Sequence, residues 1–214
     1  MKHYMVNEIF YSLQGEGMRA GTPNVFVRFS GCNLTCSRDG EAGFDCDTEF
    51  TSGRKMAAPQ LHQEMCEAMK RVDVGKRTVW CILTGGEPAL QVDPSLVAFL
   101  HEAGWAIAIE TNGTRVLPPG IDWISCSPKS AEHTLRLERA DELRYVRHAG
   151  QGIPRPSIEA ANLLLSPAFE TIEGPNGEPL HRPLKGALEW CIGLVKENPR
   201  WRLSVQQHKT WHIR

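Results

Sequence analysis

Short runs of apolar and β-branched residues recur along the chain: VFVRFS (25–30), TVWCILTG (78–85), WAIAIET (105–111), IDWISCS (121–127), ELRYVRH (142–148), NLLLSP (162–167) and WRLSVQQH (201–208). Runs of this length, apolar on both faces and bounded by turn residues, predict buried strands. Helical spacing of apolar residues is found in APQLHQEMCEAMKRV (58–72), in DPSLVAFLHEAG (93–104), where Asp93 is placed to cap, and in LKGALEWCIGLVKENP (184–199). Strand, helix, strand, helix, strand opens a parallel α/β sheet. The later links, 112–120, 128–141 and 149–161, are rich in Pro, Gly and charge and predict loops, as does ETIEGPNGEPLHRP (170–183). Three helices are too few to cover a closed barrel. The expected fold class is therefore α/β, a partial, open parallel β/α barrel with about six core strands and three main helices; a doubly wound sheet is the second choice.

Composition narrows this picture little. A chain of 214 residues, 41% hydrophobic, is long enough to bury one core, and one domain over 1–214 is expected. A formal charge of −1 gives no long-range field for nucleic acid. The amino terminus, MKHYMVNEIFYSLQGEG, lacks the apolar run and cleavage site of a secretory signal, and no run is long enough to span a bilayer. The expectation is a cytoplasmic protein with no nucleic-acid or membrane partner. An odd count of cysteines, seven, fits a reducing compartment where thiolates bind metal or serve as small core residues.

Chemistry enters at GCNLTCSRDGEAGFDCDTEF (31–50), which holds Cys32, Cys36 and Cys46 directly after a predicted strand. Active-site loops of open α/β sheets lie there. Disulfides need pairs, and closed structural zinc sites take a fourth ligand. A cubane iron–sulfur cluster held by only three thiolates keeps one iron open; a zinc site with a distant ligand, or buried thiols without metal, are the bland readings. Cys66, Cys81, Cys126 and Cys191 fall on predicted helices or strands, where a small core residue is expected. LTGGEP (83–88) ends the second strand. Its glycine pair permits close backbone approach, and Glu87 offers a carboxylate to an amine; a plain strand-to-helix turn explains GGE equally well alone. Arg28, inside VFVRFS, is a charge in an apolar strand and needs an acidic partner, on a ligand or in the core.

A three-cysteine loop followed by GGE one βα unit later resembles the radical S-adenosylmethionine superfamily. The usual CxxxCxxC spacing is expanded here, with nine residues, SRDGEAGFD, between Cys36 and Cys46. Within that superfamily, EIFYSLQGEGMRAGTPNVFVRFSGCNL, CDTEF, LTGGEP, IETNG, SPK and WRLSVQQHK, in order over 8–209, resemble the 7-carboxy-7-deazaguanine synthase family, most weakly across 130–200.

That resemblance implies conversion of 6-carboxy-5,6,7,8-tetrahydropterin to 7-carboxy-7-deazaguanine with loss of ammonia. It implies a 4Fe-4S cluster on Cys32, Cys36 and Cys46, S-adenosylmethionine on its open iron, and Mg2+ at Thr48, for which a turn or cap role is the alternative. Leu13, Gln14, Gly15, Glu16, Arg28, Thr84 and the terminal Arg214 are implied substrate contacts, in an amino-terminal segment (8–20) and a carboxy-terminal tail (201–214). Gly86, Glu87, Ser127, Pro128, Lys129, Ser166, Pro167, Ala168 and Phe169 are implied cofactor contacts, the last four through backbone or packing only. Glu110 and His208 are the candidate catalytic groups; Glu110 could instead bind pterin or ribose, or pair with Arg28. A flavodoxin- or ferredoxin-like electron donor and a homodimer are implied as well. The alternatives are a glycyl-radical activating enzyme of the same superfamily and a non-catalytic metal-binding module.

Overall fold

The computed structural model describes residues 2–37, 39–40, 42, 44–46, 48–72, 78–177 and 179–213. In chain order the elements are β1 (His3–Leu13), β2 (Pro23–Phe29), β3 (Arg54–Ala57), α1 (Ala58–Ala68), β4 (Val79–Gly85), α2 (Pro94–Glu102), β5 (Trp105–Thr111), β6 (Trp123–Cys126), β7 (Arg139–Arg147), β8 (Glu159–Pro167), β9 (Phe169–Glu173), β10 (Pro179–Pro183), α3 (Ala187–Glu197), β11 (Trp201–Leu203) and α4 (Gln207–Trp211). A nine-stranded sheet runs β11-β8-β7-β6-β5-β4-β2-β1-β3. Strands β2, β4, β5, β6, β7, β8 and β11 are parallel and correspond to the seven apolar runs; β1 and β3 add antiparallel at one edge. The sheet is an open barrel, as expected, with β3 and β11 as its edges.

Three differences from the sequence expectation have local causes. β1 is long yet reads poorly as a strand because its register shifts between Val6 and Glu8. Such a bulge reverses which face later residues occupy: Tyr4 and Val6 join the helix-side core, while Phe10 lies with Phe26 on the other face. Residues 170–183, expected to be a surface loop, pair as the hairpin β9–β10. WRLSVQQH, expected to be one strand, keeps only Trp201–Leu203 in the sheet before turning into α4.

The outer face is packed by α1 and α2 over Val25, Val27, Leu83, Ile107 and Ile109, and by α3 over the β7–β8 end. Burial on this scale, at roughly 25 cal/mol per Å² of apolar area, is the main stabilising term. The inner face is layered. Its floor holds Trp80 with the Arg19 guanidinium 3.7 Å from the ring centroid, and above it Phe26, Ile82 and Ala108 lie in register. Toward the carboxyl ends the inward residues turn polar: Arg28, Thr84, Glu110 and Arg144. Because these strands are parallel, their polar ends share one rim. No helix among the described residues is long and apolar enough to cross a membrane.

Candidate active site

Two adjoining cavities open on that rim. One, about 180 Å³, is lined by Cys32, Cys36, Cys46, Gly86, Ser127 and Lys129, with Phe44, Phe169 and Arg144 closing its sides. The other, about 560 Å³, is lined by Leu13, Gln14, Gly15, Arg28 and His208. Glu16, Thr48, Thr84, Glu110, Gln206 and Lys209 line both and form their common wall.

The cysteine loop starts where Gly31, at φ +87°, turns the chain off β2. It is clamped to the next strand by backbone bonds, Gly86 N donating to Phe29 O at 3.1 Å and Glu87 N to Gly31 O at 2.9 Å. The glycine pair makes this approach possible: a Cβ on Gly86 would stand 2.0 Å from Gly31 O, and one on Gly85 would stand 2.1 Å from Phe29 O. The close approach expected of these glycines is thus made to their own cysteine loop. Asn33 continues the clamp, donating to Thr114 Oγ1 at 2.8 Å and accepting from Asn112 Nδ2 at 3.2 Å.

Burial pushes the Cys32 and Cys36 thiols up; the Glu87 carboxylate and Cys46 raise Cys32 further, whereas Lys129 pulls Cys36 down against Cys46 and Cys32. The Lys129 ammonium donates to Ser127 Oγ at 2.7 Å and sits 4.8 Å from the Phe44 ring centroid. Among the described residues no three Cys, His, Asp or Glu side chains converge tightly enough for a single ion. Three thiols line this one cavity, and iron–sulfur clusters are held by cysteine thiolates, so the donor set suits such a cluster.

The common wall is a polar network. Glu110 accepts from Gln14 Nε2 at 2.8 Å and Thr84 Oγ1 at 3.0 Å. Glu16 accepts from Gln206 Nε2 at 2.8 Å and faces Arg144 Nε at 2.8 Å. His208 Nδ1 lies 4.0 Å from Glu16 Oε1, and its ring covers Gly15, where a Cβ would stand 2.3 Å from Nδ1. The tail is pinned there by Gln207 N donating to Gly15 O at 2.9 Å.

Three comparisons bear on identity. No protein-family model matches the chain. It is 41% identical over 210 residues to the 7-carboxy-7-deazaguanine synthase of Bacteroides thetaiotaomicron, covering 98% of each chain. It is also 40% identical over 220 residues to that of Nitratidesulfovibrio vulgaris, covering 96% of this chain and 97% of the relative. The chain belongs to the 7-carboxy-7-deazaguanine synthase family. The crystal structure of QueE from Escherichia coli shares the fold, with TM-score 0.64 at 23% identity over 96% of this chain and 95% of that one.

Against this family's expected site, most sequence-selected residues line one cavity or both, but several do not. Glu87 is fully buried, and its carboxylate accepts from Thr111 Oγ1 at 2.7 Å, Asn112 N at 2.7 Å and Ala89 N at 3.0 Å. Burial pushes its pKa up. Its side chain joins β4 to β5 instead of facing the cavity. Ser166, Pro167 and Ala168 are buried and line neither cavity, Pro128 faces a neighbouring hollow, and Arg214 lies outside the described residues. Arg28 pairs with Glu8, Nε to Oε1 at 2.9 Å, and not with Glu110. Cys66, expected in the core, is exposed, whereas Cys81, Cys126 and Cys191 are buried.

The structure adds Arg144, Gln206, Lys209, Phe44 and Asn112 to the site. Arg144 carries the same signal that singled out Arg28, a charge alternating with apolar residues in ELRYVRH. The Lys209 ammonium lies 4.9 Å from the Phe169 ring centroid, a contact between segments that no sequence pattern joins.

Proposed function

We propose that the chain converts 6-carboxy-5,6,7,8-tetrahydropterin into 7-carboxy-7-deazaguanine with release of ammonia. The observation that carries this reading is the common wall: a cavity lined by three cysteines and a cavity lined by Arg28 and the LQG segment share six residues. Two reactants held there are neighbours, and holding them in contact contributes much of the barrier reduction in such a reaction.

Cys32, Cys36 and Cys46 would hold a 4Fe-4S cluster, which with S-adenosylmethionine supplies, when bound, one-electron cleavage of the sulfonium bond and hydrogen-atom abstraction beside the substrate carboxylate. Arg28, only half-buried in its pair with Glu8, binds that carboxylate through its remaining N–H groups. Gln14 and the backbone of Leu13 and Gly15 offer both donors and acceptors to the pterin edge, while Glu16 and Glu110 accept its ring N–H groups. Thr48, on the common wall, is the Mg2+ contact, since that ion prefers oxygen and retains water and substrate oxygens. Gly86, Ser127, Lys129 and Phe169 bind the nucleoside and its amino-acid tail. Expulsion of ammonia needs a proton delivered to the leaving nitrogen; His208, in the second cavity, and Glu110, on the common wall, are the candidate groups to relay it. Gln206, His208, Lys209, His212 and Ile213 of the tail line the second cavity and would exclude water from it. An electron carrier of the flavodoxin or ferredoxin type and a second copy of the chain are the proposed partners.

The test is anaerobic turnover of reconstituted protein with the carboxypterin, S-adenosylmethionine, Mg2+ and a reductant, followed by mass spectrometry. Formation of carboxydeazaguanine is expected. Cleavage of S-adenosylmethionine without consumption of the pterin refutes the substrate assignment, and iron-free protein after reconstitution refutes the cluster.

A further inference from the structure

Arg144, on β7, is 6% exposed and stands among three carboxylates, those of Glu16, Glu110 and Glu142. Only its Nε is within hydrogen-bond distance of one of them, 2.8 Å from Glu16. Nη1 stops 3.7 Å from Glu142 and Nη2 stops 4.0 Å from Glu110, beyond hydrogen-bond reach. Nη1 is buried with no hydrogen-bond partner among the described residues. A buried donor left in this state is costly, and such groups are rare in folded proteins.

The acids around it are anchored elsewhere. Glu142 accepts from Met18 N at 2.7 Å and Ser125 Oγ at 2.8 Å, Glu110 from Gln14 and Thr84, and Glu16 from Gln206. The guanidinium is therefore tethered at one corner inside a fixed acidic ring. It lines the cysteine cavity, whereas Glu16 and Glu110 line both cavities.

Three carboxylates already surround this one cation, so another anion is disfavoured there. A neutral group that accepts from the guanidinium and donates to a carboxylate fits. Sugar hydroxyls of a nucleoside offer this chemistry, as does the ring lactam of a pterin; lining of the cysteine cavity favours the hydroxyls. We propose that Arg144 is a positioning residue that couples the two cavities: a sugar hydroxyl in the cysteine cavity takes its uncommitted N–H groups, and the guanidinium then fixes Glu16 and Glu110 for the molecule in the Arg28 cavity. This rests on the proposed assignment of nucleoside and pterin to the two cavities. By linkage, each ligand tightens the other by the same factor.

The experiment is calorimetric titration of reconstituted enzyme with the carboxypterin, with and without saturating S-adenosylhomocysteine, under anaerobic conditions. In the unaltered protein the nucleoside is expected to raise pterin affinity about 5-fold or more. In Arg144→Lys, with iron content and circular dichroism unchanged, that ratio is expected to fall to about 1. The same fall is expected in the unaltered protein when the nucleoside lacks its sugar hydroxyls; a ratio that survives their removal overturns the assignment of the hydroxyls. Equal affinities with and without nucleoside in the unaltered protein overturn the coupling, as does a ratio preserved in Arg144→Lys. Should that variant fail to fold, Glu110→Gln keeps the cation and weakens its 4.0 Å partner; a ratio unchanged there also overturns the proposal. Failure of either ligand to bind at all overturns instead the cavity assignment on which the coupling depends.

Discussion

Arg28 and Arg144 show what a charge inside an apolar strand signifies. Each was costly to bury and each found acids, but Arg28 has one partner at a half-open position and Arg144 has three in the interior. Truncating one member of a hydrogen-bonded charge pair typically costs 2–5 kcal/mol, roughly 30-fold or more in affinity. Arg28→Ala is thus expected to weaken carboxypterin binding by that factor while iron content stays the same; calorimetry showing an unchanged dissociation constant would refute the contact. The thiols form a second residue-scale contrast. Burial pushes Cys126 up to about 12 and Cys191 up to about 11, and raises Cys81 too. Alkylation of the folded protein at pH 8 is expected to label Cys66 rapidly and these three only after denaturation, read by peptide mass spectrometry. Equal labelling of Cys66 and Cys81 contradicts it. The exposure of Cys66 was legible in principle: Leu61 and Met65 form the buried stripe of α1, and the residue after Met65 is rotated about 100° from it.

Elements followed the sequence where periodicity and caps agreed. Asp93 caps α2, accepting from Leu96 N at 2.9 Å, and also binds Tyr4 and Lys2. Burial raises its pKa, but the Lys2 ammonium, the Leu96 N–H and the Tyr4 hydroxyl outweigh that and hold it below the ordinary value. A depressed folded pKa means the stabilisation is present above the unfolded value, about 3.9, and is lost as pH falls through the folded one. Asp93→Ala is expected to cost about 1 kcal/mol at pH 7, with the gap closing progressively below about pH 4. Urea unfolding across that range checks it, and a gap that stays constant into acid counts against the cap. Among the elements that escaped sequence reading, β1 and the β9–β10 hairpin had no clean alternation. A bulge breaks the pattern in one, and Pro, Gly and charge obscure it in the other.

At the scale of the whole molecule, the site depends on segments far apart in sequence being held at one rim. Gly86→Ala would place a methyl 2.0 Å from the backbone oxygen of Gly31, which cannot yield as a side chain would. A loss of about 1–3 kcal/mol is expected, with iron content after reconstitution falling as the cysteine loop is displaced; thermal melts and iron assay test both. The tail is the other long-range contributor. Removing residues 206–214 takes Gln206, His208 and Lys209 from the cavity walls while leaving the sheet, so carboxypterin affinity is expected to fall with the melting temperature nearly unchanged; a parallel loss of fold would show that the tail is structural. The sequence by itself determined the seven parallel strands and the three covering helices, and it nominated residues whose chemistry suits metal or carboxylate, because strand burial and side-chain chemistry are local properties written at short range. Which of those groups face a cavity was decided only in three dimensions. The GGE carboxylate turned inward to join two strands, Arg144 became the centre of an acidic ring, and α4 came to lie over Gly15. Such outcomes depend on register, a bulge and chain reversal, which set distances between residues that no short-range pattern connects.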